Sequence, residues 1–282
     1  MSILSLKNVN YRYPLEEKQV IRNVSLNLEK GKVYGLIGAN ESGKTSICNI
    51  LRGLIPQFYR GELTGEVLLK GKPLDSYSPE QLSKTIGYVF QNPFTQISGV
   101  KETVFEEIAY GMENLGMSKE KMTSRVNELV SMFHLEELID RNPYQLSGGQ
   151  KQRVALISVL APDPEIIIMD EPTSQLDPKS TEDIFKVIEI IKKQGKTILL
   201  VEHKVDLMAK YCDHIFLMAK GELVMSGSVE QIMTDPKVLE YGGQLPQVVL
   251  YFLEQKKCGK TVDQIPLTVE AAYQWLQKKG VK

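Results

Sequence analysis

The sequence predicts an α/β protein built on a mainly parallel sheet, and three observations carry that prediction. Strand-length apolar runs alternate with helically spaced segments: Glu165–Met169, a helix from Lys179, Thr197–Val201, a helix from Lys204, then His214–Met218. Such alternation covers a parallel sheet on both faces. Second, Gly38-Ala39-Asn40-Glu41-Ser42-Gly43-Lys44-Thr45 has the form G-x-x-x-x-G-K-T and lies between an apolar run, Val33–Ile37, and the helically spaced Thr45–Leu51. A glycine-rich turn between strand and helix aims several backbone N–H groups, and the positive end of the helix dipole, at one anion. Third, the apolar run Ile166–Met169 ends in two carboxylates, Asp170 and Glu171.

The 282 residues accommodate one large domain, or one with a smaller appendage. Hydrophobic content of 42% and charged content of 24% are those of a globular protein, and a net charge of −1 gives no electrostatic reason to expect a nucleic-acid partner. Cys48, Cys212 and Cys258 lack metal-ligand spacing and suggest no disulfide framework. The N-terminus has no basic region followed by a long apolar core, and no run reaches the roughly 18 apolar residues of a membrane span. Any link to a membrane is expected to go through a partner.

In chain order, residues 3–9 and 24–28 suggest strands, the second alternating strictly, with Tyr11-Arg12-Tyr13-Pro14 as an aromatic turn between them. Gly65–Gly71 suggests a strand entering a tight turn. Ser78-Pro79-Glu80-Gln81 has a serine cap, proline at the first helical position and glutamine three residues after the cap. Thr85–Phe90 suggests another strand. From about residue 100 to 160 the pattern is helical, as in Phe105–Tyr110 and Arg125–Phe133, and Leu217–Met225 forms a final hairpin. The first division therefore runs over residues 1–227, with a helical subdomain at about 92–160. Residues 228–282 form a helical appendage, with helices at Ser228–Met233, Leu245–Lys257 and Thr268–Lys279, too small to bury much core alone.

The chemistry follows from these positions. Lys44 supplies a point charge for β- and γ-phosphates, and the Thr45 hydroxyl a ligand for Mg²⁺. Asp170, at the C-terminal edge of a buried strand, suits Mg²⁺ directly or through water, and Glu171 points elsewhere, placed to take a proton from an attacking water. Leu146-Ser147-Gly148-Gly149-Gln150 opens a helix whose first N–H groups make a second anion site; an ordinary glycine-containing helix start is the plainer alternative. His203, just after the Thr197–Val201 strand, can reach a γ-phosphate, and Gln91 is similarly placed for a metal or water. His134 and His214 have no such placement.

In order and spacing, Gly38–Thr45, Gln91, Leu146–Gln150, Asp170-Glu171, Ser174-Gln175-Leu176-Asp177 and His203 resemble the ATPase subunits of ABC-type proteins, over roughly residues 3 to 227. The resemblance implies a P-loop NTPase core with an antiparallel β subdomain, a helical subdomain and ATP with Mg²⁺ as ligands. It implies that nucleotide is held by Tyr13 stacking on adenine and by the loop Gly38, Ala39, Asn40, Glu41, Ser42, Gly43, Lys44, Thr45 and Ser46. Ser147, Gly148, Gly149 and Gln150 of a second ATPase subunit, identical or paralogous, complete the site. Thr45, Gln91 and Asp170 contact the metal, Glu171 is the general base, His203 senses the γ-phosphate and Asp177 communicates across the dimer. Glu41 stands where glycine is common in the family, and Gln175 where a small residue is usual.

Val89–Gln96, Gly53–Tyr59 and the tail with Leu245-Pro246 and Pro266–Glu270 are similar to energy-coupling factor ATPases, importers of vitamins and cobalt. That likeness implies a peripheral subunit on the cytoplasmic face of the membrane, partnered by an integral coupling subunit and a substrate-binding membrane subunit, with the tail aiding dimerisation. Phe94, Phe105, Ile108 and Tyr110 line a docking groove for the coupling subunit or belong to the core. The alternative is a non-transport ABC ATPase acting on a macromolecular assembly.

Overall fold

In the strand Ile21–Glu29, Val24, Leu26 and Leu28 turn inward while Asn23, Ser25 and Asn27 face out, the signature of a sheet wet on one face. It pairs antiparallel with Ser2–Arg12, matching Leu4 to Leu28 and Leu6 to Leu26, and Ser2–Arg12 pairs on its other edge with Glu62–Leu69. The expected aromatic turn begins two residues later than predicted. Tyr11 belongs to the strand, fully buried, because the inner-face alternation continues to it and its hydroxyl donates to the Arg60 carbonyl at 2.8 Å. Burial pushes its pKa up to about 12. Gly61 permits this approach: at φ +150°, a Cβ there would lie 2.3 Å from the Arg12 carbonyl oxygen.

The computed structural model describes residues 2–278; Lys279, at the end of a predicted helix, and residues 280–282 lie outside the described residues. The chain divides into two compact units, one running to Gly71 and resuming at Val201, the other Lys72–Leu200. The tail thus groups with the phosphate loop, and the helical segment 92–160 lies wholly within the second unit.

In the first unit every residue of Val33–Gly38 is buried. That strand pairs parallel with His214–Ala219, which pairs antiparallel with Glu222–Ser228. The second unit carries its own parallel pair, Ile86–Val89 with Ile166–Asp170, and Thr197–Val201 borders the latter. All five residues of Ile166–Asp170 and of Thr197–Val201 are buried, as strands covered on both faces must be.

The helical region resolves into Val104–Asn114, Lys119–Met132 and Gly148–Leu160. Ser78 closes a capping box with Gln81 at the head of Pro79–Thr85, as the local sequence predicts. Buried Glu107 accepts from the Ser98 N–H at 2.8 Å and the Ser98 hydroxyl at 2.7 Å, pinning the segment after Gln91 to the helix Val104–Asn114. The tail forms Val229–Met233, Lys237–Glu240, Gln247–Lys257 and Val269–Lys278; the short second helix escapes periodicity because four residues make barely one turn. Phe252, Val262 and Ala272 make a small core with Val248, Ile265 and Trp275. The edge-to-face pair Phe252–Trp275, centroids 5.1 Å apart, adds about 1 kcal/mol beyond its burial. Cys48 and Cys212 are buried and Cys258 exposed.

Candidate active site

In the first unit, the strand Val33–Gly38 delivers the glycine-rich turn to the helix Lys44–Leu51. Gly43, at φ +102°, hands the chain into the helix, leaving the first-turn N–H groups at the loop. Gly38 could carry no side chain: a Cβ would lie 2.2 Å from the Met218 carbonyl oxygen and 2.9 Å from Ser42 Oγ. Lys44 Nζ donates to the Gly38 and Ala39 carbonyls at 3.0 and 2.8 Å, which holds the ammonium at the loop. Ser42 Oγ is buried without a hydrogen-bond partner. A buried hydroxyl without a partner, in a loop that also carries a helix N-terminus and an ammonium, fits an anion such as phosphate. Thr45 is exposed, its hydroxyl accessible to a ligand. Tyr13 Oη shares a hydrogen bond with Ser46 Oγ at 3.1 Å and its ring meets Tyr11 edge-on.

Glu41 sits at φ +63°, in the left-handed region. A side chain at such φ costs about 1 kcal/mol, a cost that glycine would avoid. His203 joins Ile37, Gly38, Ala39, Asn40 and the buried Glu202 in lining a cleft of about 370 Å³. The structure therefore brings His203 and the phosphate loop together. Sequence reasoning missed Glu202, whose carboxylate accepts the backbone N–H of His203 at 3.1 Å.

In the second unit, Asp170 is buried and accepts the Tyr88 hydroxyl at 3.0 Å. Glu171, one residue later, sits at φ +49°, in the left-handed region, where the chain leaves the strand. Non-glycine residues in this conformation concentrate at functional sites. Gln91 Nε2 donates to Glu171 Oε2 at 2.8 Å, so the amide orients the carboxylate and its own oxygen remains for a metal or water. Among the described residues no three His, Cys, Asp or Glu side chains gather as a metal cage. The donor set suits Mg²⁺, which takes one or two protein oxygens and fills its octahedron with phosphate and water.

The helix Gly148–Leu160 opens with a capping box: Ser147 Oγ accepts the Gln150 N–H at 3.3 Å and Gln150 Oε1 accepts the Ser147 N–H at 2.9 Å. This refines the second anion site. Gln150 N–H is committed, leaving Gly148 and Gly149, whose N–H groups have no intrahelical acceptor. A Cβ on Gly148 would meet nothing within 4 Å, whereas one on Gly149 would lie 2.6 Å from Ser180 Oγ. Ser180 Oγ in turn donates to Asp177 Oδ2 at 2.6 Å, and Asp177 caps the helix Pro178–Lys193. These bonds hold the Asp177 carboxyl below the usual carboxylate range. Gly149→Ala is therefore expected to dislodge Ser180 from Asp177 and to lower ATPase activity, with partial recovery in Gly149→Ala/Ser180→Ala. Steady-state rates of the parent and of the two variants check this.

The sequence profile described as ABC transporter matches residues 21–174. The chain belongs to the ABC transporter family. Across its length it is 38% identical to a putative ABC transporter ATP-binding protein of Pyrococcus abyssi, covering 93% of each chain. The energy-coupling factor transporter ATP-binding protein EcfA of Methanocaldococcus jannaschii is 36% identical, over 88% of this chain and 87% of that one. Among solved structures, CbiO1 from Clostridium perfringens, part of the ABC transporter complex CbiONQ, superposes with a TM-score of 0.75 at 28% identity, over 85% of this chain and 93% of that one. The fold is accordingly that of an ABC ATPase: a P-loop core with mainly parallel strands, an antiparallel sheet and helices. Binding and hydrolysis of ATP follow from membership.

Proposed function

We propose that the chain is the ATP-hydrolysing subunit of an energy-coupling factor importer for a vitamin or metal ion. The likeness to EcfA carries the reading, because it spans 251 residues and so must run past the ATPase core into the tail. Tyr13 takes the adenine, Gly38–Ser46 the phosphates, and Ser147, Gly148 and Gly149 close the site from a second ATPase subunit, whether a copy or a paralogue. Thr45, Gln91 and Asp170 would hold Mg²⁺, which would supply positive charge to offset that of the phosphates. Glu171, oriented by Gln91, takes the proton of the attacking water, and His203 contacts the γ-phosphate. Binding of ATP closes the two subunits and hydrolysis reopens them, a cycle passed to membrane partners. The tail 228–282 supports dimerisation.

Among the described residues no helix is long and apolar enough to cross a membrane, so attachment depends on an integral partner. The second unit offers a surface for it. Phe94 is 54% exposed, with Lys151 Nζ 4.4 Å above its ring. Val100 and Tyr144 are exposed, and Tyr144 Oη sits 2.3 Å from where a Gly99 Cβ would be. Phe105 and Tyr110 are half-buried, whereas Ile108 is fully buried in the core and drops out of the groove. Washed membranes should retain the chain and detergent should release it together with an integral protein. Charge reversals among exposed residues of 92–112 should weaken that association at least tenfold, the cost of placing like charges across an interface. Unchanged retention would place the docking surface elsewhere.

A further inference from the structure

The cleft beside the phosphate loop has one wall that the catalytic motifs do not supply: Gly242, Gly243 and Gln244, from the tail. Three contacts fix this loop. Gly242 turns at φ +76° after the short helix Lys237–Glu240, and a Cβ there would be 3.6 Å from Ala39 Cβ, so the tail backbone lies directly against the phosphate loop. Gly243 is wedged between Val238 and Leu217, where a Cβ would meet their side chains at 2.7 and 3.1 Å. Beyond the loop Leu245 is buried, and the Gln247 N–H donates to Asp206 Oδ1 at 3.0 Å. Asp206 lies in the helix Val205–Tyr211, which starts two residues after His203. Gln244, itself exposed, is thus flanked by residues anchored near the phosphate loop on one side and on the helix that follows His203 on the other.

We propose that Gln244 is a specificity-determining residue of the nucleotide site, its carboxamide donating to the terminal phosphate so that the tail distinguishes ATP from ADP. The cleft has room for a phosphoryl group and several waters, each occupying about 30 Å³. Glu202 is among its lining residues and adds a negative charge that disfavours an anion, so donors must outweigh it; Gln244, on the same lining as His203, adds a neutral donor. ADP lacks the group that this donor would meet. By this contact the tail, and whatever packs on it, responds to hydrolysis.

The proposal rests on the phosphate-loop reading, and the test separates the two. Fluorescent MgATP and MgADP are titrated into the full chain and its Gln244→Ala and Gln244→Glu variants, with thermal melts as a control on folding. Gln244→Ala should weaken MgATP about tenfold, the size of one hydrogen bond to a charged group, and MgADP less than twofold. Gln244→Glu should weaken MgATP further, since a carboxylate repels the phosphate where alanine only omits a donor. A residue that merely holds the loop would shift both nucleotides alike. Equal losses, or no loss, overturn the role of Gln244, whereas failure of the parent chain to bind either nucleotide overturns the site reading itself.

Discussion

Glu171→Gln is expected to abolish ATP turnover, by at least 100-fold, while leaving ATP binding intact. A positioned general base contributes about 10²- to 10⁴-fold to a rate, and the amide cannot accept the water's proton. The substitution is otherwise conservative. Gln91 Nε2 donates to Glu171 Oε2 at 2.8 Å, and the carbonyl oxygen of a glutamine at 171 accepts the same bond, so the left-handed turn and side-chain direction persist. ATP then stays bound, and the closed two-subunit form accumulates. Single-turnover hydrolysis and sedimentation in ATP measure the two halves of this expectation. Full hydrolysis by the variant would remove Glu171 from the role of base.

Lys44→Ala should act earlier, at binding. Lys44 is 6% exposed, and its ammonium donates to the Gly38 and Ala39 carbonyls. Its loss removes the loop's side-chain cation, and one or two charge-assisted hydrogen bonds to phosphate correspond to about a hundredfold in affinity. The same change leaves two loop carbonyls without their donor, so a lower melting temperature accompanies weaker binding. The two effects separate by ligand. Saturating MgATP should stabilise the parent against heat and leave the variant's melting temperature unmoved, because only a ligand that binds the folded state raises it.

The site's local parts were legible in the sequence because each is encoded within a few residues. The glycine-rich loop declares its turn, the Ile166–Met169 run its burial, and Ser147-Gly-Gly-Gln150 its cap. What needed the fold is non-local. Tyr88 and Asp170 are 82 positions apart, and only the parallel register of Ile86–Val89 with Ile166–Asp170 brings the phenol to the carboxylate. The Gln91–Glu171 bond spans 80 positions and arises from the same pairing of strand ends. Tyr11-Arg12-Tyr13-Pro14 reads as an aromatic turn from the sequence, yet cross-strand pairing of Tyr11 with Ile21 carries the strand through to Arg12. The approach of Gly242 to Ala39 has no sequence signature, since neither residue carries a polar group that announces a partner.

In the proposed function this chain hydrolyses ATP on behalf of a membrane assembly. Solubilising membranes in detergent, purifying the chain in its native complex, identifying the subunits by mass spectrometry and assaying ATPase tests that claim most directly. The predicted result is a second ABC ATPase chain, identical or paralogous, together with at least one integral membrane protein, and hydrolysis that Lys44→Ala in this chain depresses. A fully active ATPase recovered free of any integral membrane protein would contradict it.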